Sequence, residues 1–511
     1  MIYSEQQYKM LEQQLQKLKK ENELKDKEIK NLKIQNKQKD EVIHDLDRYN
    51  YRGQCETLKL ENKNLKKKLT QYEELLGIAR ISLEKNSSNS CKPSSTDGFK
   101  KVPQNNRIKS GKKPGRETGH VKSSPTVTNT PDETIKVSSV RTCTCGCHTA
   151  ETEEVARDLV SIKIVTYTKQ YVGKKTKCPC CNKEYMPKFP DNVKNPVNYD
   201  EKVKSLLVYT NVYCNVPNQK TSELLDFLTS KKIKISPATV LNTVAQFSKK
   251  SIPILKEMKE KILKEPVINE DETPINVNGK LMSTIGVFTN KISITEAFEN
   301  RKLESFEKMG ILNKYIGTVC HDHNNIHKAF VQSTQAECNF HILRYCKAEY
   351  EIHQWESIKE FMNFLLELRD KVDEYKLLGR IAFTEIEYEQ AKKEYLNKLD
   401  AWDKEHTEKA NKNKTEYYKG ERNLRTRLRE CVDDHLRFLT DFRIDFTNNL
   451  AERGLRIIKG KLKVAGCFRS LESAKHYCNA LSIIGTSKKQ NVDIGFAIES
   501  IFKGKKKIFA Y

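Results

Sequence analysis

The sequence predicts an α/β multidomain chain: an N-terminal coiled-coil helix, a small zinc-binding module, and a mixed sheet interrupted by a helical insertion. Three observations carry that prediction. Leucines and isoleucines repeat at heptad spacing near the N-terminus, six cysteines crowd between Cys143 and Cys181, and the apolar period shifts from helical to alternating after Glu265. The 511 residues suit several domains, and a hydrophobic fraction of 37% against 31% charged residues builds a core in some of them only.

Residues 1–85 form the first element. Leu11, Leu15, Leu18, Ile29, Leu32, Ile43 and Leu46 fall on a and d positions of one heptad frame, with Asn22, Asn36 and Asn50 in a single a column. A buried Asn at a weakens a coiled coil but fixes its register and strand number. The frame slips near Gly53 and resumes with Leu58, Leu65, Leu69, Tyr72 and Leu76. A lone helix with so narrow a stripe is marginal in water. A parallel homodimer is the preferred partner arrangement, and a hairpin folded back near Gly53 is the alternative.

Residues 86–135, rich in Ser, Lys, Pro, Gly and Asn, read as a basic extended linker. The module at 136–196 follows. Cys143, Cys145, Cys147 and His148 make one knuckle and Cys178, Cys180 and Cys181 the other, with VSIKIVTYTKQYV between them alternating like the strands of a hairpin. Two knuckles can offer zinc four soft ligands, and Cys143, Cys145, Cys178 and Cys181 are the chosen set. Cys147 and His148 stay open as ligands, and reduced structural thiols are the plainer reading. The N-terminus lacks the apolar core of a secretory signal, so these thiols are expected in a reducing compartment.

Residues 197–265 read as helix, turn and helix, with Ser236 as N-cap and Pro237 at the first helical position. The pair suits either DNA reading or core packing. Residues 266–341 carry five short strands, with a helix near Leu303 to Met309 between the third and fourth. Residues 342–440 return to helix with Trp355 and Trp402 as packing anchors, and 441–511 close the chain.

The formal net charge is +24. Cys91 to Pro125 holds nine Lys and Arg against two acids, and Arg453 to Tyr511 holds thirteen against three. Such stretches favour a polyanion, nucleic acid above all, through counterion release. No run of about 18 apolar residues exists to span a membrane.

Two acids close strands. Asp271 lies in NEDETP, and Asp322 follows IGTVCH. Were their strands neighbours, the two carboxylates would meet and repel unless a cation lay between them, and hard oxygen ligands select Mg²⁺ or Mn²⁺. Glu452 opens a helix that continues with Arg453, Arg456, Lys459, Lys461 and Lys463. Spacing alone leaves unrelated surface acids the plainer reading, since a second Asp-Glu-Thr stands at Asp132 in the linker. Cys320, His321, His323, His327, Cys338 and His341 sit nearby. Cys338-x-x-His341 has a workable ligand spacing, although core thiols and hydrogen-bonded histidines are the commoner outcome at strand ends.

Together these stretches resemble the transposases of the insertion-sequence-sixty-six family, of the wider DDE class. NSCKPSSTDGFKK and SGKKPGRETGHVK look like that family's linker, and the knuckles like its zinc module. DETPINVNGK, IGTVCHDHNNIHKAF, AECNFHILR and TNNLAERGLR match the segments of its catalytic core in order. The first knuckle departs from a plain C-x-x-C, and Phe340 stands where the family has tryptophan.

The resemblance implies a ribonuclease-H-like core and Asp271, Asp322 and Glu452 as catalytic acids holding Mg²⁺ or Mn²⁺, with Zn²⁺ structural. It also implies a cytoplasmic, nucleoid-associated bacterial enzyme, oligomeric through its coiled coil. Such an enzyme cleaves the ends of a mobile element and joins the 3′-hydroxyl to target DNA. The expected DNA contacts, to terminal inverted repeats and target, are Lys112, Lys113, Arg116, Arg453, Arg456 and Lys459. The alternative is a non-catalytic zinc-containing DNA-binding protein, architectural or regulatory.

Overall fold

The computed structural model describes residues 5–39, 48–84, 130–139, 141–150, 154–412 and 414–510. The chain divides into two units: 1–103 with 195–221 and 236–511, and 104–194 with 222–235.

The first unit opens with two helices, α1 (Glu5–Lys39) and α2 (Arg48–Glu84). They pair antiparallel within one chain: Lys25 meets Glu61 at 3.0 Å, Lys19 meets Glu73 at 3.7 Å, and Asn62 donates to Asp26 at 2.8 Å. Ile29, Cys55, Leu76 and Ala79 are buried along the seam. In the described residues the heptad stripe is therefore the contact stripe, used intramolecularly; Ile43 and Leu46 lie outside them. Gly53 lies inside α2 and is not the point of reversal.

The small unit holds β1 (Thr176–Lys177) paired antiparallel with β2 (Glu184–Tyr185). The hairpin expected of VSIKIVTYTKQYV does not form. Residues 154–175 carry no strand, and Leu159, Ile162 and Val165 stand exposed. Alternation makes a segment suited to a sheet, but a strand also needs a neighbour to complete its hydrogen-bond ladder, and none of the described residues supplies one.

Next come α3 (Glu201–Val208), running into a π-turn at Tyr209–Tyr213, and α4 (Asn218–Leu228). α5 (Pro237–Ile262) starts where the sequence predicts: the Ser236 hydroxyl accepts the Thr239 amide at 3.2 Å, with Pro237 in the first turn. Its apolar face, Val244, Phe247, Ile254, Met258 and Ile262, is buried in the main core.

The sheet contains β3 (Val267–Val277), β4 (Lys280–Phe288) and β5 (Ser293–Phe298), then, after α6 (Leu303–Met309), β6 (Thr318–His321) and β7 (Thr334–Glu337). Its order is β5-β4-β3-β6-β7. The first three strands are antiparallel, and β3, β6 and β7 run parallel. Asn278 and Gly279, both at positive φ, make the two-residue turn between β3 and β4.

The helical insertion follows as α7 (Asn339–His353), α8 (Glu356–Leu377), α9 (Glu385–Lys409), α10 (Lys419–Glu430), α11 (Val432–His435) and α12 (Arg437–Thr440). It builds a second core around Trp402, Tyr395, Phe361 and Trp355. A capping box at Thr384 and Glu387 starts α9. The chain ends with α13 (Asn449–Ala465), α14 (Leu471–Lys489) and α15 (Ile494–Phe502). α13 lies on β3 and β4, and α14 packs against β5 and α5. Among the described residues no helix is long and apolar enough to cross a membrane.

Lys461 belongs by sequence to a basic helix, yet it is buried and donates to the Asn211 carbonyl at 3.2 Å. Burial pulls its ammonium down to about 8. The unfolded chain holds that proton to about 10.4. Below pH 8 both states are charged and burying the charge costs stability; between pH 8 and 10.4 stability rises with pH as the penalty lifts. Lys461→Met is expected to stabilise the protein by about 1–2 kcal/mol at pH 7, after allowing for the lost hydrogen bond. The gain should shrink toward pH 10, as urea denaturation at the two pH values would show.

Candidate functional site

β3 crosses the centre of the sheet, so side chains alternate between its faces. Glu270 and Glu272 take one face and Asp271 the other. Glu272 is neutralised locally by Arg301 and accepts from Asn324 at 3.1 Å. Glu270 is buried, with Oε2 2.9 Å from Nε2 of His327. Burial, then the nearby Asp322, push the Glu270 carboxyl up to about 8, while burial pulls His327 down to about 4. Burial thus disfavours charge on both members of the pair. His321 stacks on His327 at 3.7 Å between ring centroids.

Asp271 sits opposite Gly286 of β4. On its other side β6 pairs in parallel, Asn269 with Cys320. That register, carried two residues further, brings Asp271 beside Asp322. Glu452 arrives from the first turn of α13. Burial lifts the Asp271 carboxyl well above its ordinary range, followed by Asp322 and Glu270; Lys459 opposes the rise and Glu452 adds to it. Asp322 and Glu452 therefore both lie within electrostatic reach of Asp271.

Two devices hold α13 in place. The Asn448 side chain donates to the Glu270 carbonyl at 2.6 Å and accepts from Asn269 at 3.0 Å, while its backbone N–H reaches Cys338 Sγ at 3.2 Å. Gly454 permits the close approach, since a Cβ there would meet the Phe288 ring at 2.2 Å.

His341, in the first turn of α7, stands between two of the acids. Its Nδ1 is 3.0 Å from Asp322 Oδ1 and its Nε2 is 4.0 Å from Glu452 Oε1. The first contact lacks hydrogen-bond alignment and acts as a charge contact. Burial opposes charge on His341, but Asp322 and Cys338 outweigh it and hold the imidazolium up at about 11.

Among the described residues two groups of side chains could hold a metal ion: Asp322 with Cys338 and His341, and His323 with Glu337 and Cys431. The second is already an ion-pair network. Glu337 receives His323 and Arg427 at 2.8 Å each and His435 at 3.3 Å. Burial opposes its charge, but these partners hold its carboxyl far below the usual range.

The other residues singled out from sequence lie elsewhere. Arg453, Arg456 and Lys459 are exposed on α13, and Arg456 approaches Glu452 at 3.9 Å. Lys112, Lys113 and Arg116 fall outside the described residues. In the small unit, Cys143, Cys145, Cys147, Cys180 and Cys181 are exposed and Cys178 half-buried. The first knuckle closes through the Cys143 amide on the Cys147 carbonyl at 2.9 Å, the second through the Asn182 amide on the Cys178 carbonyl at 3.0 Å. The Cys147 amide, with the Cys143 and Cys147 side chains, lowers the Cys145 thiol; the Cys181 and Cys180 amides do the same for Cys178. Neither ligand group above includes a knuckle cysteine.

Sequence reasoning missed Glu270, Glu337 and the bridging role of Asn448. Only Asn448 left a local sign, as the first of two asparagines before a helix.

The family model described as Transposase IS66 family matches residues 198–476, more than half of the chain. The chain belongs to that family. The matched range takes in all five strands of the large sheet, the helical insertion, α13 and the three acids. No curated protein matches this family member.

Proposed function

We propose that this chain is a DNA transposase that cleaves the ends of a mobile element and joins the freed 3′-hydroxyl to target DNA at a DDE site. Its large sheet is then a ribonuclease-H-like core. Support for that fold comes from the strand order, three antiparallel strands followed by two parallel ones. The observation supporting the function is the parallel β3–β6 register that leads to Asp271 and Asp322, with His341 set between Asp322 and Glu452 of α13.

The acids fit a hard divalent cation. Asp322 Oδ1 is buried without a hydrogen-bond partner, and Asp271 is crowded by three other carboxylates, Asp322, Glu270 and Glu452. Asp271, Asp322 and Glu452 would hold Mg²⁺ or Mn²⁺. Bound there, the cation supplies Lewis-acid activation of the attacking hydroxyl and charge stabilisation at the scissile phosphate. Asn448 fixes Glu452 against β3, and His341 orients Asp322. Arg453, Arg456 and Lys459 grip the phosphate backbone without reading bases. Position and charge are most of what phosphoryl transfer asks of a protein.

In the same reading Cys143, Cys145, Cys178 and Cys181 would hold structural Zn²⁺, since amides aimed at sulfur favour the thiolate form. The zinc module, with the basic linker carrying Lys112, Lys113 and Arg116, would recognise terminal inverted repeats. The protein would act in the bacterial cytoplasm at the nucleoid, as an oligomer joined through faces of its N-terminal helices that the α1–α2 pairing leaves exposed, where Leu24 and Leu60 lie.

The second reading is a DNA-binding architectural or regulatory protein without cleavage. The sulfur and nitrogen donors of Cys338 and His341 beside Asp322 favour it, because they suit a structural metal better than Mg²⁺. The full chain, incubated with DNA carrying the flanking inverted repeats and Mg²⁺, separates the two. Nicks leaving a 3′-hydroxyl at the element end, followed by joined products, are expected. Tight binding without nicks at any divalent ion would support the second reading, and nicks without joining would make the protein a nuclease of the same fold.

A further inference from the structure

We propose that Asp322, Cys338 and His341 form a site for a thiophilic divalent cation such as Zn²⁺, Cd²⁺ or Co²⁺, and that an ion bound there blocks the Mg²⁺ site with which it shares Asp322. The blocking half rests on the function proposed above; the binding half does not.

The donor atoms of the three side chains all lie within 4.8 Å of one another. His341 Nδ1 and Asp322 Oδ1 are 3.0 Å apart. That is close to the edge of about 3.3 Å in a tetrahedron with bonds of roughly 2.0–2.1 Å. Both atoms are buried and neither is in an aligned hydrogen bond, so a metal ion can replace their charge contact by displacing the Nδ1 proton of His341.

The local fold prepares the third corner. Cys338 caps α7 and His341 lies in its first turn, so the Cys-x-x-His spacing presents both side chains to one spot. The turn is pinned by the Cys338 amide on the His321 carbonyl at 3.0 Å and the His341 amide on the Cys338 carbonyl at 3.2 Å. Cys338 and His341 are 4% and 6% exposed. The Asp322 side chain, 34% exposed, leaves one corner open to solvent, where a fourth ligand can enter.

The surrounding contacts also suit a metal. A histidine that ligates through one nitrogen usually donates its other N–H to a carboxylate. Here Nε2 faces Glu452 at 4.0 Å. The sulfur receives the Asn448 amide at 3.2 Å, as ligating thiolates commonly do. Mg²⁺ prefers an all-oxygen octahedron and has little use for this set, whereas sulfur with imidazole draws softer ions. An ion in place would occupy Asp322 and draw Glu452 toward His341, engaging two of the three acids.

The test is Co²⁺ titration of the metal-stripped full chain, comparing the wild type with Cys338→Ser and His341→Ala. Both variants keep the knuckle cysteines, so those contribute equally to all three. The wild type is expected to take up one more equivalent than either variant, with extra sulfur-to-cobalt charge-transfer absorption that Cys338→Ser lacks. Circular dichroism checks that the variants are folded; should Cys338→Ser unfold, Cys338→Ala takes its place. Equal stoichiometry and equal absorption would overturn the site.

A second arm measures Zn²⁺ inhibition of Mg²⁺-dependent nicking, each protein normalised to its own activity. The half-inhibiting concentration should rise roughly tenfold or more in Cys338→Ser. An unchanged value would overturn the blocking half. Absence of nicking in the wild type would count against the proposed function, and the cobalt spectrum would still decide the binding site.

Discussion

Asp322→Asn should lower Mg²⁺-dependent strand cleavage by about 10³-fold or more while leaving folding and DNA affinity nearly unchanged, if the three acids share a cation. Asparagine has the same shape, and the aspartate side chain is one-third exposed, in close polar contact with His341 Nδ1 at 3.0 Å. Losing that charge contact is offset by relief elsewhere, because Asp322 raises the carboxyl groups of both Glu270 and Asp271. The variant should therefore unfold at nearly the wild-type temperature without metal. The difference appears on adding Mg²⁺. A cation at one hundred times its dissociation constant stabilises the folded state by about 2.7 kcal/mol. Wild-type unfolding should shift upward accordingly, and the variant should not respond. A variant that still nicks DNA and is still stabilised by Mg²⁺ would remove Asp322 from the site.

What the sequence discloses and what it hides divide along a physical line. Signals acting over a few residues were legible. Ser236 and Pro237 mark the start of α5, and the α6 helix falls between the third and fourth strands as expected. The heptad stripe of α1 and α2 was also legible, but not its partner, since the same apolar seam serves a second chain or the chain's own return.

Pairings over long sequence separations left no local trace. Glu337 meets Arg427 across 90 residues and Asn448 meets Glu270 across 178. Lys461 is hidden for the same reason: a basic run says nothing about which of its members a distant carbonyl will claim. The acids are intermediate. Spacing alone did not distinguish Asp271, Asp322 and Glu452 from accidental neighbours, and only their ordered motifs pointed to them. The segment from Val160 to Val172 shows the opposite failure, with strong alternation and no neighbouring strand.

Asn448→Ala is expected to cost about 2–4 kcal/mol and to reduce cleavage beyond what that loss of stability explains. The side chain is fully buried and serves two partners, the Glu270 carbonyl at 2.6 Å and the Asn269 carboxamide at 3.0 Å. Truncation leaves both without these bonds in a space that water enters poorly, at about 1–3 kcal/mol for each unsatisfied group. The same bonds join the start of α13 to β3, so their loss frees Glu452 from its position relative to Asp271. Asn448→Asp sharpens the point. It keeps an acceptor for Asn269 but loses the donor to Glu270 and adds a carboxylate beside Asp271, so it should be at least as destabilised as alanine. Urea denaturation gives the stability, and cleavage is assayed at a temperature where both variants stay folded. Activity that falls only in proportion to the folded fraction would mean that α13 holds Glu452 without help from Asn448, and that Gly454 against Phe288 alone sets the distance.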